Sequence, residues 1–165
     1  MDKLNEQLHS KLNAILQHST ESKQELLSLL EGVELKHKGH YKTYLAALMG
    51  ISSRLIDENT YESIIPNREL VHNPLRITHG GITASLMDIA MGSLVHQFLP
   101  QQQAAVTSEM KIHFLSSGTG NELKCLATAI FKSDTRWVVQ ANVYRDDKKL
   151  VATATGTFMI ITKRA

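Results

Sequence analysis

The sequence lacks most of the features that would suit it to an oxidising compartment, nucleic acid or a membrane. It contains one cysteine, Cys125, so no disulfide can form within the chain, and a lone thiol is compatible with a reducing compartment. The formal net charge is only +2 at pH 7, which gives no electrostatic support for binding nucleic acid or an anionic membrane. No apolar run reaches the roughly 18 to 20 residues that span a bilayer. The N-terminus also has no apolar segment of the kind found in a secretory signal, so we expect a cytoplasmic protein.

What is present fits one folded domain. A chain of 165 residues suits a single core, and an apolar fraction of 42% with 21% charged residues is ordinary for a globular protein. The texture of the sequence changes near residue 48, but no stretch rich in glycine, proline or serine marks a linker there. We therefore predict a helical extension over residues 1–48 that elaborates a main domain over residues 49–165.

The extension reads as three helices. Apolar residues recur at helical spacing through the first 16 positions, with polar residues between them. Ser22 and Glu25 form a capping-box pattern that predicts the start of a second helix, and Gly32 is its predicted end. A third, short helix is predicted over residues 41–49. A DNA-reading helix-turn-helix is the alternative interpretation, but none of these segments is a clearly basic recognition helix.

Beyond residue 50 the pattern becomes typical of strands around one long helix. Residues 51–56 and 61–65 flank a turn-rich tetrad, which predicts a hairpin. Residues 82–98 are apolar on nearly every side, so a helix there must be buried on most of its surface. Four more strands with alternating apolar residues are predicted to follow as a meander, over 106–115, 123–131, 137–143 and 150–162.

This order predicts an α+β fold in which an antiparallel sheet of about six strands curls around a long central helix. The sheet would keep open edges, and two copies paired edge to edge would each protect one of them, so we expect a homodimer. Alternation along strand 106–115 predicts two faces, with Met110, Ile112 and Phe114 on one and Thr107, Glu109, Lys111 and His113 on the other.

A double glycine, Gly80-Gly81, stands where the central helix begins, directly after His79. Glycine has no Cβ, so a substrate carbonyl can approach the backbone closely. The first amides of a helix have no partner within the helix, and the helix dipole favours negative charge there. These properties make the segment a candidate oxyanion hole. The alternative is that the two glycines only permit a sharp turn from loop to helix.

Asp88 is the only carboxylate in the apolar segment 82–98. Burying a bare charge is costly, so we expect this side chain to be neutralised, paired or used chemically. Its neighbours on the helix are small, which leaves space for a ligand. Asp88 follows Gly80 by eight residues, about 12 Å along a helix axis, which is far for one reacting group. A carbonyl held at Gly80 could therefore be attacked from Asp88 of a second subunit; pairing with an arginine or capping a kink is the alternative role.

The spacing of Asn73, His79-Gly80-Gly81 and Asp88 resembles the hotdog-fold acyl-CoA thioesterases of the PaaI (phenylacetyl-CoA thioesterase-like) branch, within the 4-hydroxybenzoyl-CoA thioesterase superfamily. The similarity extends through Val106–Leu115, which matches the strand that carries a family hydroxyl residue. It covers residues 49–162 and leaves the N-terminal helices outside. The resemblance implies hydrolysis of an acyl-CoA to a free acid and coenzyme A.

The resemblance also implies roles for individual residues. Gly80 would donate its N–H to the thioester carbonyl, and Asn73 and His79 would shape and support that pocket. Asp88 of the opposite subunit would act as general base or nucleophile. Thr107 would orient the attacking water.

Other parts of the substrate site are also expected from the sequence. The small residues Gly81 and Ser85 would line it, and Lys132 and Arg136 could meet coenzyme A phosphates; solvated turn charges are the alternative for those two cations. The resemblance implies a homodimer or homotetramer, a dimer of dimers. One carboxylate and an oxyanion donor suffice for this chemistry, so we expect no metal and no cofactor. His37 and His40 sit among lysines that oppose cation binding.

Two competing functions remain open at this point. A non-catalytic acyl-CoA sensor on the same fold would bind without turnover, and the presence of Asp88, Gly80 and Thr107 together argues against it. A hotdog hydratase or dehydratase would pair a histidine with an acid, whereas His79 leads directly into the glycines.

Overall fold

The computed structural model describes residues 2–163 of the chain. These residues form two compact units, which divide between Gly50 and Ile51. Within the described residues, no helix is both long enough and apolar enough to span a bilayer.

The N-terminal unit contains three helices: α1 (Lys3–Ile15), α2 (Thr20–His37) and α3 (Tyr44–Met49). Each begins at a polar cap whose side chain accepts from backbone N–H groups of the first turn, and these caps are Asp2, Ser19 and Thr43. The prediction that the second helix starts at Ser22 is therefore wrong by one turn. Ser19 takes the capping position, and Ser22 donates its N–H to the Ser19 hydroxyl at 3.3 Å.

The prediction that Gly32 ends the second helix is also wrong. Gly32 lies inside α2, which continues to His37. A Cβ on Gly32 would lie 2.9 Å from the Ala47 carbonyl oxygen of α3. The glycine therefore allows two helices to pack closely, and the left-handed turn follows later, at Gly39 with φ of 81°.

The second unit is a six-stranded antiparallel sheet that packs on one long helix. A hairpin of β1 and β2 comes first, a short 3₁₀ turn over Glu69–Val71 follows, and the helix α4 precedes the remaining strands. The element bounds are β1 (Ser52–Leu55), β2 (Thr60–Pro66), α4 (Gly80–Gln97), β3 (Gln103–Phe114), β4 (Glu122–Lys132), β5 (Arg136–Arg145) and β6 (Leu150–Thr162). The predicted hairpin, helix and four later strands are all present.

The strand order corrects the predicted four-strand meander. The sheet runs β1-β2-β4-β5-β6-β3, so only β4, β5 and β6 form a meander. β3 crosses the sheet to pair with β6 and becomes an edge strand, while β4 pairs with β2. Sequence spacing could not show this, because every strand after α4 alternates in the same way and the exchange is decided by how the sheet closes around the helix.

The core lies between the sheet and one face of α4. The buried helix residues follow a three-and-four spacing, and they pack against strands β2 to β6. The expectation that the helix is buried on most of its surface is confirmed, since every residue from 82 to 95 is buried or half-buried, with the half-buried ones on the second face. The buried face consists of Thr83, Leu86, Met87, Ala90, Met91, Leu94 and Val95.

Candidate functional site

The site begins at the N-terminus of α4, which His79 caps. The Nδ1 atom of His79 accepts the N–H of Gly81 at 2.9 Å, and the His79 carbonyl accepts the N–H groups of Ile82 and Thr83. An accepting Nδ1 carries no proton, so the neutral ring has its proton on Nε2. The His79 backbone N–H donates to Val71 O at 2.8 Å, which fixes the entry of the chain into the helix.

Gly80 is the first residue of α4, and its geometry separates the two explanations for the double glycine. Neither Gly80 nor Gly81 has a positive φ. A Cβ on Gly80 would make an ordinary 3.6 Å contact with the Phe114 ring, and one on Gly81 would meet the His79 ring at 3.1 Å. No group among residues 2–163 accepts the Gly80 N–H. A strained turn therefore does not require glycine at position 80, whereas close approach of another molecule would.

Asp88 and Thr107 meet on the half-buried face of α4. The Thr107 hydroxyl donates to Asp88 Oδ1 at 2.7 Å and so links the helix to the edge strand β3. Asp88 is half-buried rather than enclosed, because it projects from the face that the sheet of its own chain leaves open. A hydroxyl that donates to one carboxylate oxygen leaves the other oxygen available to accept a proton or to bind water.

An irregularity in β3 corrects the predicted faces of this strand. The register with β6 passes from Thr107 opposite Phe158 to Glu109 opposite Thr157, so Ser108 is an extra residue. This bulge turns Thr107 to the helix side, where Phe114 also lies against Gly80. Simple alternation had put Thr107 on the opposite face from Phe114.

The side chains of the two remaining predicted pocket residues form hydrogen bonds with backbone groups close to them in the sequence. Asn73 Oδ1 accepts the Leu75 N–H at 2.9 Å, which closes the loop before the helix. The Ser85 hydroxyl donates to the Gly81 carbonyl at 2.9 Å. The Asn73 side chain is thus bonded within its own loop, and Ser85 contributes a small side chain to the half-buried helix face.

The two predicted phosphate-binding cations lie farther away. Lys132 donates to the Glu58 carbonyl at 2.8 Å and lies over the rings of Phe98 and Trp137, at 5.0 and 4.8 Å from their centres. In the sheet, Lys132 is three strands from Thr107, about 14 Å at the usual strand spacing. Arg136 is exposed, on the opposite face of β5 from Trp137. The structure does not bring these cations next to Asp88.

Two features near the helix start were missed by the sequence analysis. The half-exposed Phe114 ring lies beside Gly80, and Asn67 connects the loop before α4 to two other segments. The position of Phe114 at the end of a strand carried no signal, and Asn67 follows Pro66 in an unremarkable loop. Among the described residues, no group of three or more His, Cys, Asp or Glu side chains is arranged to hold a metal ion.

Comparison with known proteins agrees with this architecture. A family model described as "Domain of unknown function (DUF4442)" matches residues 41–160. The structure is similar to the BH2602 protein of Bacillus halodurans, which was crystallised with CoA, at 39% identity and a TM-score of 0.84, over 92% of this chain and 99% of that one. Similarity to PaaI of E. coli is 23% identity with a TM-score of 0.67, over 81% and 96% of the two chains. Thioesterase HI1161 of Haemophilus influenzae is 19% identical with a TM-score of 0.68, over 71% of this chain and 82% of that one. No curated protein matches.

The sheet and its central helix thus form a hotdog fold, shared with PaaI-like thioesterase structures. The chain itself belongs to the DUF4442 family. Because the match with BH2602 covers 92% of this chain, it also includes part of the N-terminal helices, which the predicted resemblance had left out.

Proposed function

We propose that the protein is an acyl-CoA thioesterase that hydrolyses the thioester to a free acid and coenzyme A. The observation that carries this proposal is the hydrogen bond between Thr107 and Asp88 on the open face of α4. A carboxylate oriented by a hydroxyl suits the activation of water, or direct attack on a thioester carbonyl. The relative BH2602, which was crystallised with CoA, supports the substrate class.

The oxyanion donor would be the Gly80 N–H. Negative charge develops on the thioester oxygen during attack, and an unpaired amide at a helix N-terminus stabilises it through both the hydrogen bond and the helix dipole. Asn73 and His79 would support this donor, since they accept backbone N–H groups in the preceding loop and in the first turn of the helix. The thiolate of coenzyme A leaves readily, so no acid beside it is needed.

Within one chain, the Gly80 N–H and the Asp88 carboxylate are too far apart to act on the same thioester. Gly80 and Asp88 are eight residues apart on one helix, about 12 Å along its axis. We infer that the active unit is a homodimer in which Asp88 of one subunit faces Gly80 of the other. The open face of α4 and the unpaired edge of β3 are the surfaces that the partner would cover. A dimer of dimers remains compatible with this arrangement.

A panel of acyl-CoAs assayed for released thiol tests the proposal. The only cysteine, Cys125, is buried, and burial raises the pKa of its thiol to about 12, so a thiol reagent will report coenzyme A and not the folded protein. We expect saturable release of free thiol from at least one acyl-CoA. Binding without thiol release would instead indicate a sensor, and loss of enoyl absorbance without thiol would indicate a hydratase.

Asp88→Asn should remove most of the turnover, by about 10³-fold or more, because the amide cannot take a proton or attack. Thr107→Ala should cost less, about 10-fold, since the carboxylate remains and only its orientation is lost. The matched control is Asp134→Asn, which changes an exposed carboxylate in the turn between β4 and β5. Near-normal turnover by Asp88→Asn, with an unchanged oligomer, would exclude the proposed role.

A further inference from the structure

A cluster of polar residues, separate from the proposed catalytic residues, joins three segments of the chain next to the start of α4. Its centre is Asn67, directly after β2, and its other members are His72 and Thr78 from the loop before α4 and two glycine carbonyls from the loop between β3 and β4. None of these residues has a role in the proposed chemistry.

Asn67 uses every hydrogen-bonding position of its side chain. Its Oδ1 accepts the Thr78 hydroxyl at 2.7 Å and His72 Nε2 at 3.0 Å. Its Nδ2 donates to the carbonyls of Gly120 at 2.9 Å and Gly118 at 3.4 Å. The two carbonyls fix which end of the amide is which, so His72 must donate from Nε2. A fully satisfied amide of this kind rigidifies the segments that it joins.

Thr78 links this cluster to the start of α4 because it directly precedes His79. Its side chain is almost completely buried, and its hydroxyl lies within hydrogen-bond distance of both Asn67 Oδ1 and the Gly118 carbonyl. The Thr78 backbone N–H donates to the same Gly118 carbonyl at 2.9 Å. A Cβ on Gly118 would lie 2.9 Å from the Thr78 side chain, so the two loops touch without room for another atom.

We propose that Asn67 and Thr78 are positioning residues that hold the backbone of His79–Gly81 so that the Gly80 N–H keeps the direction needed for the oxyanion. The inference rests on the proposed function, because it assigns these residues to the same site. Neither side chain touches the reacting atoms. Their effect is to fix the backbone from which the Gly80 N–H projects, since a displacement of about 1 Å at such a donor costs up to about 10²-fold in rate.

The first test replaces Thr78 by two residues of opposite kind. Thr78→Val keeps the shape of the side chain and removes the hydroxyl, whereas Thr78→Ser keeps the hydroxyl. We expect Thr78→Val to lower kcat about 10- to 100-fold with KM nearly unchanged, and Thr78→Ser to restore most of that loss. Equal kcat for wild type and Thr78→Val would overturn the proposal. Equal losses of kcat in the valine and serine variants would also overturn it, because the loss would then not depend on the hydroxyl.

The second test is Asn67→Asp, which places a carboxylate oxygen against the Gly118 and Gly120 carbonyls. The matched control is Asn121→Ala. It removes a side-chain amide from the loop that contains Gly118 and Gly120, but this amide donates to Asp146 and not to the cluster. Kinetics should show a selective loss of kcat in Asn67→Asp. Hydrogen exchange of the His79 and Gly81 amides, which donate to Val71 O and to His79 Nδ1, should quicken in that variant and not in the control when followed by NMR in the full chain.

The two measurements separate this inference from the proposed function. If the wild type hydrolyses no acyl-CoA in the panel, the proposed function fails, and amide exchange still decides whether Asn67 holds the helix start. If the wild type is active and Asn67→Asp matches the control in both kcat and amide exchange, the positioning role is wrong while the thioesterase proposal stands.

Discussion

Gly80 is the residue at which structural and chemical roles can be separated by substitution. Its φ is not positive, and a Cβ there would meet only the Phe114 ring, at 3.6 Å. It occupies the first helical position, where proline is tolerated because the N–H has no partner within the helix. The preceding His79, with φ of −60° and ψ of 136°, already has the extended backbone that a following proline requires.

Gly80→Pro should therefore fold normally and lose about 10²- to 10³-fold in kcat, because it removes the N–H that would donate to the oxyanion and puts the ring Cδ in its place. Gly80→Ala is the matched control: it keeps the N–H, and an alanine in the first turn should leave the melting temperature unchanged or slightly raised. Thiol-release kinetics and thermal denaturation measure the two effects. A proline variant that keeps the wild-type kcat would show that this N–H is not the donor.

Single residues also show how far the sequence could predict the site. The types and spacing of His79, Gly80 and Asp88 pointed to a helix-start donor and one acid. The resemblance gave Thr107 as a hydroxyl that orients water, but neither its hydrogen bond to Asp88 nor its face was predicted, because a bulge at Ser108 changes the alternation and leaves no mark in the composition. Asn67 was missed because its bonds reach residues 51 and 53 positions away.

At the scale of elements, the position, length and burial of the helix α4 were predicted, but not which of its faces the sheet covers. Its composition is apolar or small all round, which indicated enclosure, yet the sheet of one chain covers one face and leaves Asp88 on the other. Likewise, the strands were found but their order was not, since β3 moves to the far edge. Pairing between strands is a long-range property that local periodicity does not record.

The β1–β2 hairpin and β4 are joined on their outer face by a charged cluster. Glu62 is only 6% exposed, although Arg54 and Lys124, which pair with it at 2.7 and 3.3 Å, remain open to solvent. Burial alone raises the pKa of Glu62, but the hydrogen bonds and charges of the two cations outweigh it and hold the pKa below the usual 4.5. The ionised form is therefore favoured in the folded state.

A carboxyl whose pKa is lowered by folding stabilises the protein at pH values above its unfolded pKa, and this contribution disappears as the pH falls through the folded value. We expect Glu62→Gln to lower the free energy of unfolding by about 1 kcal/mol at pH 7, because two hydrogen-bonded cations lose their counter-charge. The difference from wild type should shrink as the pH drops below 4.5. Urea denaturation at stepped pH measures it, with the exposed Glu69→Gln as control; a difference that does not change with pH would contradict this assignment.

At the scale of the whole molecule, the described chain supplies the two halves of the proposed reaction site without joining them. The free Gly80 N–H and the Asp88–Thr107 pair lie at different levels of one helix. The open face of α4 and the long edge strand β3 are the surfaces on which a second copy could complete the site. The division of labour between two subunits is thus the central claim.

A mixed dimer of two inactive variants tests that claim most directly. Asp88→Asn and Gly80→Pro chains, carrying different affinity tags, would be co-expressed and the heterodimer purified through both tags. If each site takes Asp88 from one subunit and Gly80 from the other, the heterodimer contains one intact site and one doubly altered site. It should then show about half the wild-type turnover per dimer, while both variant homodimers stay inactive. A heterodimer as inactive as its parents would contradict the shared site.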